Sequence, residues 1–289
     1  MRALGASLLA CAALLAGCGD TPDASPDAGA RCEVAKGSAT MVISRLAFVR
    51  ADATRTGVAD GFDLDGHDSA SGDPIGCGRQ DYVGPTGALG VDNQLAQLIP
   101  LVDSMTGGVL DGALQTAINN GQLLVSITLD DLQNRCDDPS VTVTLRRVAG
   151  MPFVGSDMRV DPGQTFDLNR DAPVTRARGR VQGGVLSIDA TDIPLPVEVL
   201  DARFILNLYG GRMRVRLYES GGGEGILGGG ISVAEFSATA ERFTISTALR
   251  GAVGTTMRLM ADLAPNADGR CQNLSAAMVV SLRPAFVNP

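Results

Sequence analysis

The sequence predicts a mainly β domain with a few helices, built as an antiparallel β-sandwich or a partly open barrel and braced by disulfides. Three observations lead there. Apolar and polar residues alternate with period two in segment after segment, the pattern of strands with one buried face. The chain has 36 glycines, spread between those segments, as many strands joined by turns require. Four cysteines, Cys32, Cys77, Cys136 and Cys271, punctuate the same region.

In chain order, "SATMVISRLAFV" supplies a first strand. "DNQLAQLIPLVDSM" then places Leu95, Leu98, Ile99 and Val102 on one helix face, with Asp92 as N-cap and Pro100 as a kink. "VLDGALQTAINNG" is a second helix that stops near Gly121. "QLLVSITLDDL" and "VTVTLRR" return to alternation, with Leu123, Val125, Ile127 and Leu129, then Val141, Val143 and Leu145, facing inward. "RARGRVQGGVLSIDA" reads as a hairpin around Gly183-Gly184, and "DARFILNLYGGRMRVRLYE" as another around Gly210-Gly211. "GGGEGILGGG" reads as a flexible glycine linker. Its Gly223, Gly225 and Gly228 have GxGxxG spacing, but the following helix starts too late to receive a pyrophosphate. That helix opens at Ser232, which forms a capping box with Glu235, and Ile231 with Phe236 suits a hydrophobic staple. "LSAAMVVSLRP" is the last strand.

The first twenty residues, "MRALGASLLACAALLAGCGD", place Arg2 before a short apolar run that closes on Leu15-Ala16-Gly17-Cys18. The layout is that of a signal peptide, too short to span a bilayer comfortably. Its end resembles the lipobox of bacterial lipoproteins. The resemblance implies cleavage before Cys18, a diacylglycerol on the Cys18 thiol and acylation of the new amino terminus, since stable anchoring takes more than one chain. "GDTPDASPDAGA" follows, with no apolar periodicity, and reads as a flexible acidic tether. Gly19, rather than Asp, after the cysteine implies by the same resemblance the outer membrane. The expected organisation is a signal peptide over 1–17, an acylated Cys18 and tether over 18–31, and one β-rich domain over 32–289. The domain is similar to a group of bacterial envelope lipoproteins through "GFDLDG", "GVDNQLAQL", "GILGGGISVAEF" and a cysteine before the final strand. That likeness implies no activity.

An exported chain meets an oxidising compartment, so Cys32, Cys77, Cys136 and Cys271 are expected to form two disulfides in one of three pairings. Any of them ties Cys271 back to the first half, which argues for a single unit. The expected pairing is Cys77 with Cys136 and Cys32 with Cys271. No CxxC spacing supports a metal site instead.

Charge and composition exclude several functions. Against 24 Lys+Arg stand 32 Asp+Glu, a formal charge of -8. An acidic chain repels nucleic acid, which is therefore not an expected partner. Lys36 is the only lysine, so Schiff-base and P-loop chemistry lack a residue. His67 is the only histidine and would have to serve as any general base, and neither GxSxG nor HExxH occurs. There is no Trp and there are three Tyr, a poor set of platforms for sugar chemistry.

Two constellations remain. The stretch "GVADGFDLDGHDSASGDPIGC", Gly57 to Cys77, places Asp63, Asp65 and Asp68 around Gly66, at the short spacing a hard cation such as calcium takes. Asp73, Asp81 or backbone carbonyls would complete the site. It is not an EF-hand, because Gly61 and Gly72 fall where that loop needs carboxylates. The second constellation is a pair of arginine rows, Arg176, Arg178 and Arg180, and Arg212, Arg214 and Arg216, each on one strand face. Were the two strands neighbours, they would make an anion-binding patch.

The expected function is thus a membrane-anchored envelope lipoprotein, a non-enzymatic binding or structural module stabilised by calcium. Its partners would be the membrane, through the anchor, and an envelope polysaccharide, lipid or protein. The alternative is a lipid-handling lipoprotein with an apolar cleft. The anchor is tested by Cys18→Ser: this variant is expected to lose palmitate labelling and partitioning into detergent, and unchanged partitioning would refute the lipobox reading.

Overall fold

The structure, a computed structural model, describes residues 37–106, 108–199, 202–241 and 247–288. The signal segment, Cys18, the tether and Cys32 lie outside the described residues. Residues Cys32–Pro289 form a compact unit that holds every described element and the whole hydrophobic core among the described residues.

Among the described residues, ten strands and four helices occur in the order β1 (Gly37–Phe48), α1 (Leu95–Thr106), α2 (Val109–Asn119), β2 (Val125–Leu132), β3 (Asp138–Ala149), β4 (Gln164–Leu168), β5 (Val174–Gln182), β6 (Val185–Val199), β7 (Ala202–Leu217), β8 (Gly223–Ser232), α3 (Val233–Ala240), α4 (Thr247–Met260), β9 (Leu263–Pro265) and β10 (Cys271–Asn288). Eight of the strands pair antiparallel in the circuit β1-β2-β3-β5-β6-β7-β8-β10, and β10 closes it by pairing with β1. The fold is therefore mainly β and a barrel, the second of the two expected architectures. Past Pro284, β10 leaves the circuit and runs parallel to β4.

Alternation sets the inside of the barrel. Thr175, Ala177, Gly179 and Val181 of β5 are buried while Arg176, Arg178 and Arg180 between them are exposed. Ile127, Val143, Leu186, Val215, Leu227 and Val280, each at most 1% exposed, come from six strands and meet in one cluster. A β1 irregularity between Ile43 and Arg45 keeps Leu46 in step with Val280. Helix α2 touches both β1 and β6, which lie on opposite sides of the circuit, so it closes one end with Ala117 and Ile118.

Gly183 and Gly184 form the expected two-residue turn, at φ of 55° and 75°, a primed turn that only glycine enters freely. Ser232 caps α3 by accepting from the Glu235 N–H at 3.3 Å.

Four expectations are corrected. The Gly210-Gly211 pair makes no turn. β7 runs straight through it, and the glycines sit where the register slips against both β6 and β8, as at a β-bulge. The segment expected to be a glycine linker is β8, paired on both edges. Asp92 does not cap α1; its carboxylate is turned to the loop before it. Finally, Cys77 is bonded to Cys271, with Cα atoms 5.9 Å apart, and not to Cys136. Cys136 is disulfide-bonded too. The topology explains the pairing. Cys136 lies at the barrel end of the Gly183-Gly184 turn, where its carbonyl accepts from the Gly184 N–H, whereas Cys271 opens β10 beside the acidic loop. The tie between Cys271 and the first half stands.

Candidate functional site

The segment between β1 and α1, residues 49–94, has no strand or helix of its own and lies over the outer faces of β8 and β10. Glycines in β8 admit it: a Cβ on Gly228 would come within 3.0 Å of the Phe62 ring. Phe62 packs there with Val49, Ile226, Ala277 and Val279. The Arg214 guanidinium stands 5.4 Å over the Phe62 ring and 2.8 Å from Asp60. The Cys77–Cys271 bridge fastens the far side of the loop to the start of β10.

The loop covers an edge that no strand covers. β1 pairs with β10 only from Met278 to Pro284, whereas β10 begins at Cys271. β9 takes Cys271 and Asn273. Between them, Asp262 N–H donates to the Asn273 carbonyl at 3.0 Å, and the Asp262 carboxylate accepts from the Ser275 N–H at 2.7 Å and the Ser275 hydroxyl at 2.5 Å. The Ser275 hydroxyl in turn accepts from Gln94 N–H at 2.7 Å. Ala277 donates its N–H to Asn93 Oδ1 at 3.2 Å and accepts from Val49 N–H at 3.0 Å. Asn93 also donates to the Asp60 carbonyl at 2.8 Å. Side chains thus stand in for the missing ladder.

Carboxylates converge beside this seam. One oxygen each of Asp63, Asp65 and Asp92 lies within 4.8 Å of the others. Asp92 is 2% exposed and accepts from Leu64 N–H at 2.6 Å. Asp63 accepts from Gly66 N–H at 2.6 Å and Asp65 from His67 N–H at 2.9 Å. Asp68, the third residue expected here, lies outside this group and accepts from Gly90 N–H at 3.2 Å. Asp81 is buried next to the group and accepts from Ser69 N–H at 2.6 Å.

Burial governs the titration of these groups. It pushes Asp92 up to about 8, helped by the charges of Asp65, Asp81 and Asp262 and opposed by the Leu64 N–H. It pushes Asp262 up to about 7 against the hydrogen bonds from Ser275. Asp81 is raised, again by burial first. At neutral pH the cluster therefore includes a carboxyl, that of Asp92, which favours its proton. All its donors are carboxylate oxygens, the set a hard cation takes.

His67 has another task. Its Nε2 lies 3.0 Å from Asp73 and the ring is 38% exposed, so it pins the turn on the way to Cys77. Asp73 raises the His67 pKa above its ordinary value. Asp73 also accepts from Ile75 N–H and is not part of the carboxylate group.

The arginine rows are not on neighbouring strands. β6 lies between β5 and β7, with Ser187 in register with Arg180 on one side and Arg214 on the other. Both rows face outward, Arg212 half-buried and Arg216 exposed.

Sequence reasoning missed Asp92 as a cluster member, because an Asp before an apolar helical run reads as an N-cap. It missed Asn93, Asp262 and Ser275 altogether. Ser275 is 181 residues from its partner Gln94, a separation that no local pattern bridges. Comparison with protein-family models, curated proteins and solved structures finds no match to this chain.

The raised pKa values give a signed prediction. Asp92 and Asp262 titrate higher folded than unfolded, so the folded chain binds more protons between about pH 4 and pH 8. Their contribution is full below about pH 4 and lost as pH rises toward 8. Without divalent cations, stability is expected to fall by a few kcal/mol across that window, and Asp92→Asn should flatten the fall. Urea unfolding at pH 5, 6.5 and 8 with a chelator measures it; equal slopes for the two proteins would refute the assignment.

Proposed function

We propose that this chain is a membrane-anchored lipoprotein of the cell envelope, at the outer membrane, whose barrel is a non-enzymatic structural or binding module braced by calcium at its acidic seam. The observation that carries the reading is the filled barrel. Met41, Ile43, Leu129, Val143, Leu186, Met213, Val215 and Val280, each at most 2% exposed, occupy the space where a carrier would hold a ligand, and α2 closes one end. Small barrels filled in this way recognise partners at their rims and outer faces. Among the described residues two shallow clefts indent the surface, one between β7, β8 and α3, the other at the barrel end where the core residues Met41, Leu129 and Leu132 meet Arg135 and Tyr218. The filled interior thus favours a module that binds or builds over one that carries lipid.

The anchor rests on the lipobox at Leu15 to Cys18. No helix among the described residues is long and apolar enough to cross a membrane. The exposed arginines along β5 are also unlike the apolar outer band of a membrane-spanning barrel.

Calcium would be held by Asp63, Asp65 and Asp92, with Asp81 behind them. It would neutralise carboxylates that otherwise repel one another or must stay protonated. Because its ligands come from the covering loop, the ion would stiffen the seal over β10. At a hundredfold excess over the dissociation constant, binding adds roughly 2.7 kcal/mol to stability.

Native mass spectrometry and thermal melting of residues 32–289 test this reading together. One calcium per chain, no co-purified lipid and a higher melting temperature in millimolar calcium are expected, with a smaller effect of magnesium, which tolerates irregular geometry poorly. Asp63→Asn with Asp65→Asn should remove the calcium effect. Stoichiometric lipid would overturn the module reading, and identical melting with and without calcium would overturn the brace.

A further inference from the structure

The face formed by β5, β6 and β7 is basic on a chain whose formal charge is -8. Arg176, Arg178 and Arg180 project from β5, and Arg212, Arg214 and Arg216 from β7. With β6 between them, the two rows lie about 10 Å apart, with ~7 Å between successive arginines in a row. Arg214 is engaged with Asp60 and Phe62. The other five make no ion pair among the described residues. The acids around them do not cancel the rows. Asp189 of β6 is exposed between the rows, Asp192 accepts from Gly210 N–H, and Glu224, in register with Arg216, is taken by Arg159 and Tyr218.

The place of this face relative to the chain's entry into the barrel is a second, independent observation. β1 begins at Gly37, in register with Leu132, at the barrel end that also carries the Gly183-Gly184 turn and the β7–β8 turn after Leu217. Arg180 and Arg216 are the members of the rows closest to that end. About 19 residues separate Gly37 from Cys18, a covalent reach of at most about 65 Å.

We propose that the unpaired arginines of β5 and β7 dock on the anionic phospholipid headgroups of the bilayer in which the chain is anchored, laying the barrel on its side against the membrane. This rests on the lipoprotein reading above. Guanidinium groups bind phosphate oxygens in pairs of hydrogen bonds, and their fixed fork favours them over lysine for this task. A short tether holds the face near the surface at high effective concentration, so five individually weak contacts suffice. Each basic residue at an anionic surface contributes roughly fivefold in affinity at moderate salt, and the contribution falls with the Debye length.

Flotation of residues 32–289 with vesicles tests the proposal without the anchor. Vesicles of phosphatidylcholine with about a third phosphatidylglycerol should carry the domain in 50 mM salt and release it in 0.5 M, while pure phosphatidylcholine should not carry it. Replacing Arg176, Arg178, Arg180 and Arg216 by Gln should weaken binding at least about tenfold with unchanged melting. The same replacement at Arg55, Arg170, Arg258 and Arg270, which removes equal charge elsewhere, should weaken it far less. Equal losses in the two variants, or no binding to anionic vesicles, would overturn the proposal, as would retention on sulfated dextran by a domain that ignores the vesicles. Palmitate labelling of the full chain reports on the anchor separately. Vesicle binding without labelling would sink the anchor while leaving the basic face a lipid-binding surface.

Discussion

The mismatch in length between β10 and β1 is the constraint on which this molecule depends. A barrel is stable because closure leaves no edge, yet here β10 starts seven residues before its pairing with β1 begins, at Met278. The Ser275 and Ala277 amides would be buried without partners, at about 1–3 kcal/mol each. The chain meets this with Asp262 on one side and Asn93 on the other, each carrying its side chain to the amide that needs it. The acidic loop that carries Asn93 is itself held to the barrel at three places. Phe62 seats on the glycine face of β8, Arg214 clamps Asp60, and Cys77 is bonded to Cys271.

That solution has an electrostatic cost. A carboxylate is a good acceptor for two hydrogen bonds, but Asp262 is 1% exposed, and Asp81 and Asp92 are buried within reach of its charge. Burial therefore favours the protonated forms of Asp92 and Asp262 and ties the stability of the seam to pH. The loop that covers the barrel edge thus also carries Asp81 and Asp92, whose burial ties its stability to pH. The structural seam and the carboxylate group adjoin because the loop that carries Asn93 also carries Asp63, Asp65 and Asp92.

Much of the fold was legible in the sequence. Period-two alternation marked the inward residues of β2, β3 and β5, and the Gly183-Gly184 turn and the Ser232 cap carry local signatures that the structure repeats. What failed did so for stated reasons. Two glycines serve a bulge as well as a turn, so Gly210-Gly211 was ambiguous until its neighbours were known. The glycines of β8 resemble a linker because the reason for them, a loop lying close above, comes from residues 57–92. Disulfide pairing depends on which barrel end each cysteine reaches, which alternation does not reveal. At the site, Asp63 and Asp65 were readable from their spacing around Gly66. Asp92 carried the signature of a helix cap, and Asp262 carried none.

The most direct test of the central claim is amide hydrogen exchange at Ala277 and Ser275 in the wild type and in Asn93→Ala. If Asn93 stands in for the missing strand, both amides exchange as slowly as those of the paired part of β10 in the wild type, and the substitution speeds Ala277 by orders of magnitude while leaving Leu282 unchanged. Slow exchange at Ala277 in Asn93→Ala would mean that another group seals the edge, and the account of the loop as the closing element of the barrel would be wrong.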